Sequence, residues 1–302
     1  MAIPSPESRR NPLQWLVVAV PYFWLFLFFA APFFIIVKIS LSDTAIAMPP
    51  YVPVFEGFSR IGEFFSQLDF DNYIFLTEDP LYIEAYLSSL RIAVISTVLL
   101  LLVGYPMALA MARAPSHVRP TLVMLVILPF WTSFLIRVYA WIGILKPEGL
   151  LTVLFQSLGL LGPDEQVNIF RTETSVFIGI VYSYLPFMVL PLYSALEKLD
   201  NTLLEAAADL GCPPWKAFWK ITFPCRCRVS WAGSMICFIP ITGEFVIPDL
   251  LGGAQTLMIG KTLWTEFFGN RDWPLASAVA VILLLLLVVP IAIFQNQQKK
   301  VG

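Results

Sequence analysis

An all-α membrane protein of six transmembrane helices is the fold this sequence predicts, and three observations carry it. Of 302 residues, 58% are hydrophobic and 13% charged, with a mean hydropathy of +0.77. A soluble domain carries about 25% charged residues. Six apolar runs are long enough to cross a hydrocarbon core of roughly 30 Å, which takes about 20 residues. They fall at about 15–37, 86–112, 121–144, 175–196, 229–251 and 275–294. Twenty-five Phe, ten Tyr and nine Trp suit aromatic belts and a lipid-facing surface.

Residues 1–14 precede the first run, 15–294 form the membrane domain, and 295–302 are a short tail. The first run is too long for a signal-peptide core and is followed by no small-x-small cleavage site, so it reads as a retained anchor. Orientation follows from the basic residues of the connections. With the N-terminus cytoplasmic, eleven Lys and Arg fall inside and six outside, although the outside segments are longer. Both termini are therefore expected inside. Fourteen acidic residues fall outside against five inside, which makes the outer face attractive to cations or simply solvates exposed loops. Net charge is −2, pointing to no nucleic-acid partner.

Cys212, Cys225, Cys227 and Cys237 lie in no expected outer segment, so no disulfide framework is implied. With His117 as the one histidine, they offer no paired ligands at zinc spacing. Pro21, Pro32, Pro106, Pro129, Pro186, Pro191, Pro240 and Pro248 interrupt the runs. Each removes a backbone donor and tends to kink a helix. Such breaks are tolerated where the freed groups meet protein or a water-filled path. A simple anchor has no need of them; a transporter or channel does.

The longest expected cytoplasmic connection, 197–228, holds EAAADLGCPPWKAFWKITFP at 205–224. Leu199, Leu203, Leu204 and Ala207 share one helical face. Gly211 suits a C′ position with φ > 0, and Pro213 and Pro214 forbid continuation. Trp215, Phe218 and Trp219 then form an aromatic face on a second short helix. From the residues alone, this stretch is either a partner-docking helix or one lying on lipid with Lys216 and Lys220 towards headgroups.

Glu205-Ala206-Ala207, Gly211 four residues on, then nine residues and Ile221-Thr222-Phe223-Pro224 resemble the cytoplasmic signature of permease subunits of ATP-binding cassette importers. Phe223 stands where the family usually has Leu. The resemblance spans nearly the whole chain. GEFVIPDLLGG (243–253), MIGKTLW and NRDWP (270–274) look like the permeases of spermidine/putrescine importers, nearest the putrescine type. The resemblance implies a type I importer permease fold with a coupling region at 197–224. It also implies a second permease subunit, an ATPase dimer that binds ATP and Mg, and a periplasmic polyamine-binding protein. No cofactor and no enzymatic activity are expected in this chain. Glu205, Ala206, Ala207, Asp209, Gly211, Trp215 and Phe218 are then the expected ATPase-coupling residues, with Trp215 and Phe218 as knobs for a cleft on the ATPase.

Four ionisable residues fall within the runs: Arg91, Arg137, Glu244 and Asp249. Arg91, near an outer end, can snorkel, and Arg137 can balance a carboxylate. Carboxylates in a span default to function, the alternative being a structural Arg–Glu pair. Glu244, Phe245, Asp249 and Trp264 are expected to line a substrate path. Each carboxylate would meet one ammonium of a short diamine, and the rings would add cation–π contacts. On a continuous helix Asp249 lies roughly 7–8 Å beyond Glu244 and about 140° around the axis, so the reading needs a backbone break, placed at Pro248. The outer segment 38–85, with Tyr51, Phe55, Phe58, Phe64, Phe65 and Tyr73, is expected partly as an amphipathic helix on the membrane. The rest, including Asp69 and Asp71, is expected to touch the binding protein.

LGGAQTLMIGKT (251–262) mimics a phosphate-binding loop, but that spacing requires Gly where Gln255 stands. No H-E-x-x-H or G-x-S-x-G occurs, which argues against a membrane enzyme. A permease for another small cationic or amino-acid-like solute, or a passive channel, remains as the alternative.

Overall fold

The computed structural model describes residues 12–54, 66–199 and 201–299. Its helices are α1 (Pro12–Leu25), α2 (Ala31–Ser40), α3 (Asp71–Glu78), α4 (Pro80–Arg113), α5 (Arg119–Ile127), α6 (Phe134–Leu145) and α7 (Leu150–Ser157). After them come α8 (Glu173–Glu197), α9 (Asn201–Asp209), α10 (Pro214–Ala217), α11 (Phe223–Thr242), α12 (Val246–Leu250), α13 (Ile259–Trp264) and α14 (Trp273–Lys299). Strands β1 (Asp43–Thr44) and β2 (Tyr51–Val52) pair antiparallel. The chain divides into two compact units, one of residues 76–265 and 283–302, the other of residues up to 75 with 266–282.

The larger unit is organised by α4, α8 and α11, which pack against one another. Asp79 accepts the Leu81 N–H at 2.9 Å and Pro80 occupies the first turn of α4. That capping starts the helix at residue 80 instead of 86. Its buried stripe of Ala85, Ser89, Ala93, Ser96, Leu100, Gly104 and Ala108 recurs every three or four residues. Mostly small side chains there let α8 and α11 approach closely. Ile92, Ile180, Met188, Leu192 and Ile241 fill the core between the three helices. In lipid such packing stabilises through dispersion and fit more than through release of water. α8 opens on a capping box in which Thr172 and Ser175 satisfy each other's backbone N–H groups.

Among the described residues, four helical stretches are long and apolar enough to cross a membrane: Val17–Ser40, Pro80–Arg113, Glu173–Glu197 and Trp273–Ala292. Two expected spans are not continuous helices. In place of 121–144 the chain forms α5 with a 3-10 turn to Trp131, then α6, bent by 89° at the join. Pro129 lies in the 3-10 turn, and Thr132 and Ser133 take extended ψ angles of 152° and 139°. In place of 229–251 the helix stops at Thr242 and restarts at Val246.

The smaller unit begins with α1 and α2, joined through a π-helical turn at Phe26–Ala30. Large apolar side chains from Val17 to Ile36, among them Phe23, Trp24, Phe29 and Phe34, are exposed. At the end of α2 the Lys38 ammonium donates to the Pro53 carbonyl and lies 4.2 Å over the Tyr51 ring. Asn72 Nδ2 donates to the carbonyls of Ser40 and Ser42 at 3.1 and 2.8 Å, and Thr44 donates to Asp272 at 2.7 Å. Desolvation, then the charges of Asp69 and Asp71, push the Asp43 carboxyl above the ordinary range. Of the aromatic residues expected on an interfacial helix, Tyr51 is in β2 and Tyr73 in α3. Phe55, Phe58, Phe64 and Phe65 lie outside the described residues.

Candidate functional site

The expected path residues gather where the chain breaks between α11 and α13. Gly243 closes α11, and Phe245, at φ −125° and ψ −33°, precedes α12. Glu244 sits in the gap and is only 8% exposed. One of its oxygens accepts the N–H groups of Val246 and Ile247 at 3.1 and 3.4 Å, and the other accepts the Tyr184 hydroxyl at 2.6 Å. The carboxylate thus caps α12, satisfying orphan donors at the helix start. Among the described residues no arginine pairs with Glu244, the alternative arrangement.

The expectation that Pro248 opens the backbone needs correction. Pro248 lies in the first turn of α12, where a missing N–H has no intrahelical partner to lose. The break precedes it, at 243–245, and separates Glu244 from α11 instead of Glu244 from Asp249.

Asp249 is 55% exposed in its side chain and pairs with Lys261 Nζ at 3.3 Å. Phe245 and Trp264 stack with centroids 4.5 Å apart and planes at 11°. Phe245 and Asp249 are one helical turn apart, as are Lys261 and Trp264, so the ion pair and the ring stack are neighbouring links across antiparallel α12 and α13. Behind them, a Cβ at Gly260 would stand 2.4 Å from the Gly243 carbonyl oxygen and 2.7 Å from that of Glu244. Backbone meets backbone there. The Ile259 N–H donates to Ser89 Oγ at 2.8 Å, anchoring the start of α13 to α4. The result is one enclosed carboxylate, one accessible carboxylate and two aromatic faces beside a broken helix.

Two apolar clefts of about 440 and 480 Å³ lie elsewhere in the same unit, near Pro129 and Pro186 and around Ser230 and Ser234. Among the described residues no charged side chain lines either, so neither supplies what a cation needs there.

Arg91 ion-pairs with Glu173, tying α4 to α8 instead of merely snorkelling. Arg137 is 9% exposed, with Nε and Nη1 buried and without a hydrogen-bond partner. It lies over the rings of Phe130 and Phe134, 5.0 and 5.7 Å from their centroids. The carboxylate expected to balance it is not there among the described residues.

In the 201–224 region, α9 ends in a Schellman turn. The Cys212 N–H donates to Ala207 O at 2.9 Å and the Gly211 N–H to Ala208 O at 2.8 Å, with Gly211 at φ 74°. Glu205, Ala206 and Asp209 are exposed, while Ala207 is buried. Trp215 and Trp219 are 65% and 60% exposed. Phe218 is different: it meets Tyr105 edge-on at 5.5 Å and packs on the core. Trp215 and Trp219, four residues apart, face outward, while Phe218, where a π-helical turn to Thr222 begins, is partly buried against the core.

Sequence reasoning missed Tyr184, Lys261 and Gly260 as parts of the site. A tyrosine in the middle of a span was a usable signal, because a buried hydroxyl requires a partner. The pairing of Lys261 with Asp249 had none, since it depends on the chain turning back after α12.

The family described as binding-protein-dependent transport system inner membrane component matches residues 10–301. The chain is 36% identical over 292 residues to the spermidine/putrescine transport system permease protein PotB of Haemophilus influenzae, with 96% of each chain covered. It is 43% identical over 217 residues to PotB of Escherichia coli, covering 72% of this chain and 78% of that one. Among solved structures, a bacterial ABC transporter that imports alginate aligns with a TM-score of 0.68 at 16% identity over 96% of both chains. The MetNI methionine ABC transporter aligns at 0.55 and 15% identity, over 74% of this chain and 96% of that one. At such identities the likeness is one of fold.

Proposed function

The chain belongs to the family of binding-protein-dependent transport system inner membrane components, and from that premise we propose that it is the permease subunit of an ATP-driven polyamine importer. The observation that carries the substrate class is the 36–43% identity to spermidine/putrescine permeases over most of the chain. The accessible carboxylate of Asp249 and the neighbouring Phe245–Trp264 stack support it, because a primary ammonium is recognised by a carboxylate and ring faces. Within that class we take putrescine, on the resemblance of 243–253 and 270–274 to the putrescine-type permease.

In this reading the chain crosses the inner membrane six times with both termini cytoplasmic. The bent α5–α6 pair makes one crossing, and α11 with its broken continuation makes another. Asp249, Phe245 and Trp264 line the substrate path, and Glu244 shapes it by holding the start of α12. The 201–219 region, through exposed residues such as Glu205, Asp209, Trp215 and Trp219, docks an ATPase dimer that binds ATP and Mg. A second permease subunit completes the path, and a periplasmic binding protein delivers substrate to outer segments that include Asp69 and Asp71.

The test is ATPase activity of the reconstituted four-component complex with putrescine, spermidine and amino acids in turn. Putrescine should stimulate most. Stimulation by amino acids alone would overturn the polyamine assignment, and solute flux that persists without ATP would favour a channel.

A further inference from the structure

We propose that Lys261 is a tethered stand-in for the substrate ammonium: it occupies Asp249 while the path is empty and yields when a diamine arrives. The proposal rests on the polyamine reading above and adds to it a built-in competitor.

The chemistry of the pair supports this role. A lysine side chain is a primary ammonium on a flexible four-carbon stem, the same group that ends an α,ω-diamine. Its Nζ already lies 3.3 Å from Asp249 Oδ1, where an incoming ammonium would bind. It arrives there beside stacked Phe245 and Trp264, the surfaces that would also face a substrate cation. Glu244 offers no second vacancy, because its oxygens accept from Tyr184, Val246 and Ile247.

The energetics favour exchange over simple addition. A lone carboxylate on a membrane path is costly, so an empty site without Lys261 would carry an uncompensated charge. Lysine neutralises it. Replacing one alkylammonium by another keeps the Asp249 carboxylate paired throughout, so binding at that group is close to balanced and release on the other side is not blocked. The pair is part-exposed, with side-chain exposures of 32% for Lys261 and 55% for Asp249, which keeps it weak enough to open. Gly260, wedged against the carbonyls of Gly243 and Glu244, holds the base of the lysine in place while its stem swings.

The test uses the complex of this chain with its partner permease and ATPase, purified without binding protein and titrated with radiolabelled putrescine. Lys261→Met, of similar length and uncharged, should lower the half-saturating concentration by about fivefold, the effect of removing a competitor of surface-pair strength. Asp249→Asn should weaken binding, and adding Lys261→Met to it should restore nothing. Should Lys261→Met not assemble, Lys261→Gln reads the same quantity. Unchanged or weaker binding in the lysine variants, with binding still lost in Asp249→Asn, overturns the stand-in and leaves the path reading intact. Wild-type binding in Asp249→Asn overturns the site itself, and binding of spermidine but not putrescine by every variant overturns the diamine assignment.

Discussion

The Tyr184 hydroxyl donates to Glu244 at 2.6 Å, so a side chain in the middle of α8 holds the carboxylate that starts α12. Three donors converge on that buried group. Glu244→Ala strands a hydroxyl and two backbone N–H groups, a loss of about 2–4 kcal/mol. Glu244→Gln keeps an acceptor and should cost about 1 kcal/mol, with Tyr184→Phe between the two. Thermal unfolding of the detergent-purified complex should rank the variants in that order. An alanine variant as stable as wild type would show that the cap contributes nothing.

Gly260 supplies the second constraint on the break. A methyl group there meets two carbonyl oxygens of the main chain, neither of which can rotate away as a side chain would. Gly260→Ala should cost about 1–3 kcal/mol through forced backbone shifts and displace Lys261 and Trp264 together. Uptake should fall well below that of Thr265→Ala, a nearby change that only removes a bond to the Lys261 carbonyl. Equal uptake in the two would mean that the approach of α13 to residues 243–245 is not required.

The helices of the larger unit were legible because their apolar runs are local, whereas the caps that set their starts, Asp79-Pro80 for α4 and Thr172 for α8, went unread. The Schellman turn was legible for the same reason, since Gly211 followed by two prolines admits few alternatives. The break at 243–245 was not. Gly243 tolerates a helix end without demanding one, and Pro248, the louder signal, falls in a first turn where it is harmless. Arg137 was visible as an unusual charge, but its two aromatic neighbours come from either side of an 89° bend that Pro129 alone does not dictate. Phe218 was grouped with its aromatic neighbours because its packing on Tyr105 is a tertiary contact that local spacing does not reveal.

Orientation is testable by labelling. Ser66, Ser116 and Gln166 are all exposed, so a cysteine at any of them is reachable from its own side. In a background lacking the four native cysteines, Ser66→Cys and Gln166→Cys should react with an impermeant thiol reagent added outside intact cells. Ser116→Cys should react only after permeabilisation. The reverse pattern would place residues 201–224 on the outer face, away from any ATPase.

The proposed coupling surface gives the sharpest contrast, because the same short stretch carries outward and inward aromatics. Trp215 and Trp219 are exposed, while Phe218 sits edge-on to Tyr105 in the core. Large aromatics at an interface centre commonly contribute 2 kcal/mol or more each, about 30-fold in affinity. Trp215→Ala and Trp219→Ala should therefore weaken capture of the ATPase subunit by that order without changing the unfolding temperature. Phe218→Ala should do the opposite, lowering stability by about 2 kcal/mol through lost packing. Gly211→Val forces a β-branched residue into φ 74° at a cost of about 1–2 kcal/mol, which should misplace the tryptophans and weaken capture as well. Glu205→Lys reverses an exposed charge on the preceding helix and should weaken capture at low salt more than at high salt. If Phe218→Ala loses the ATPase while both tryptophan variants keep it, the outward face assigned here is the wrong one.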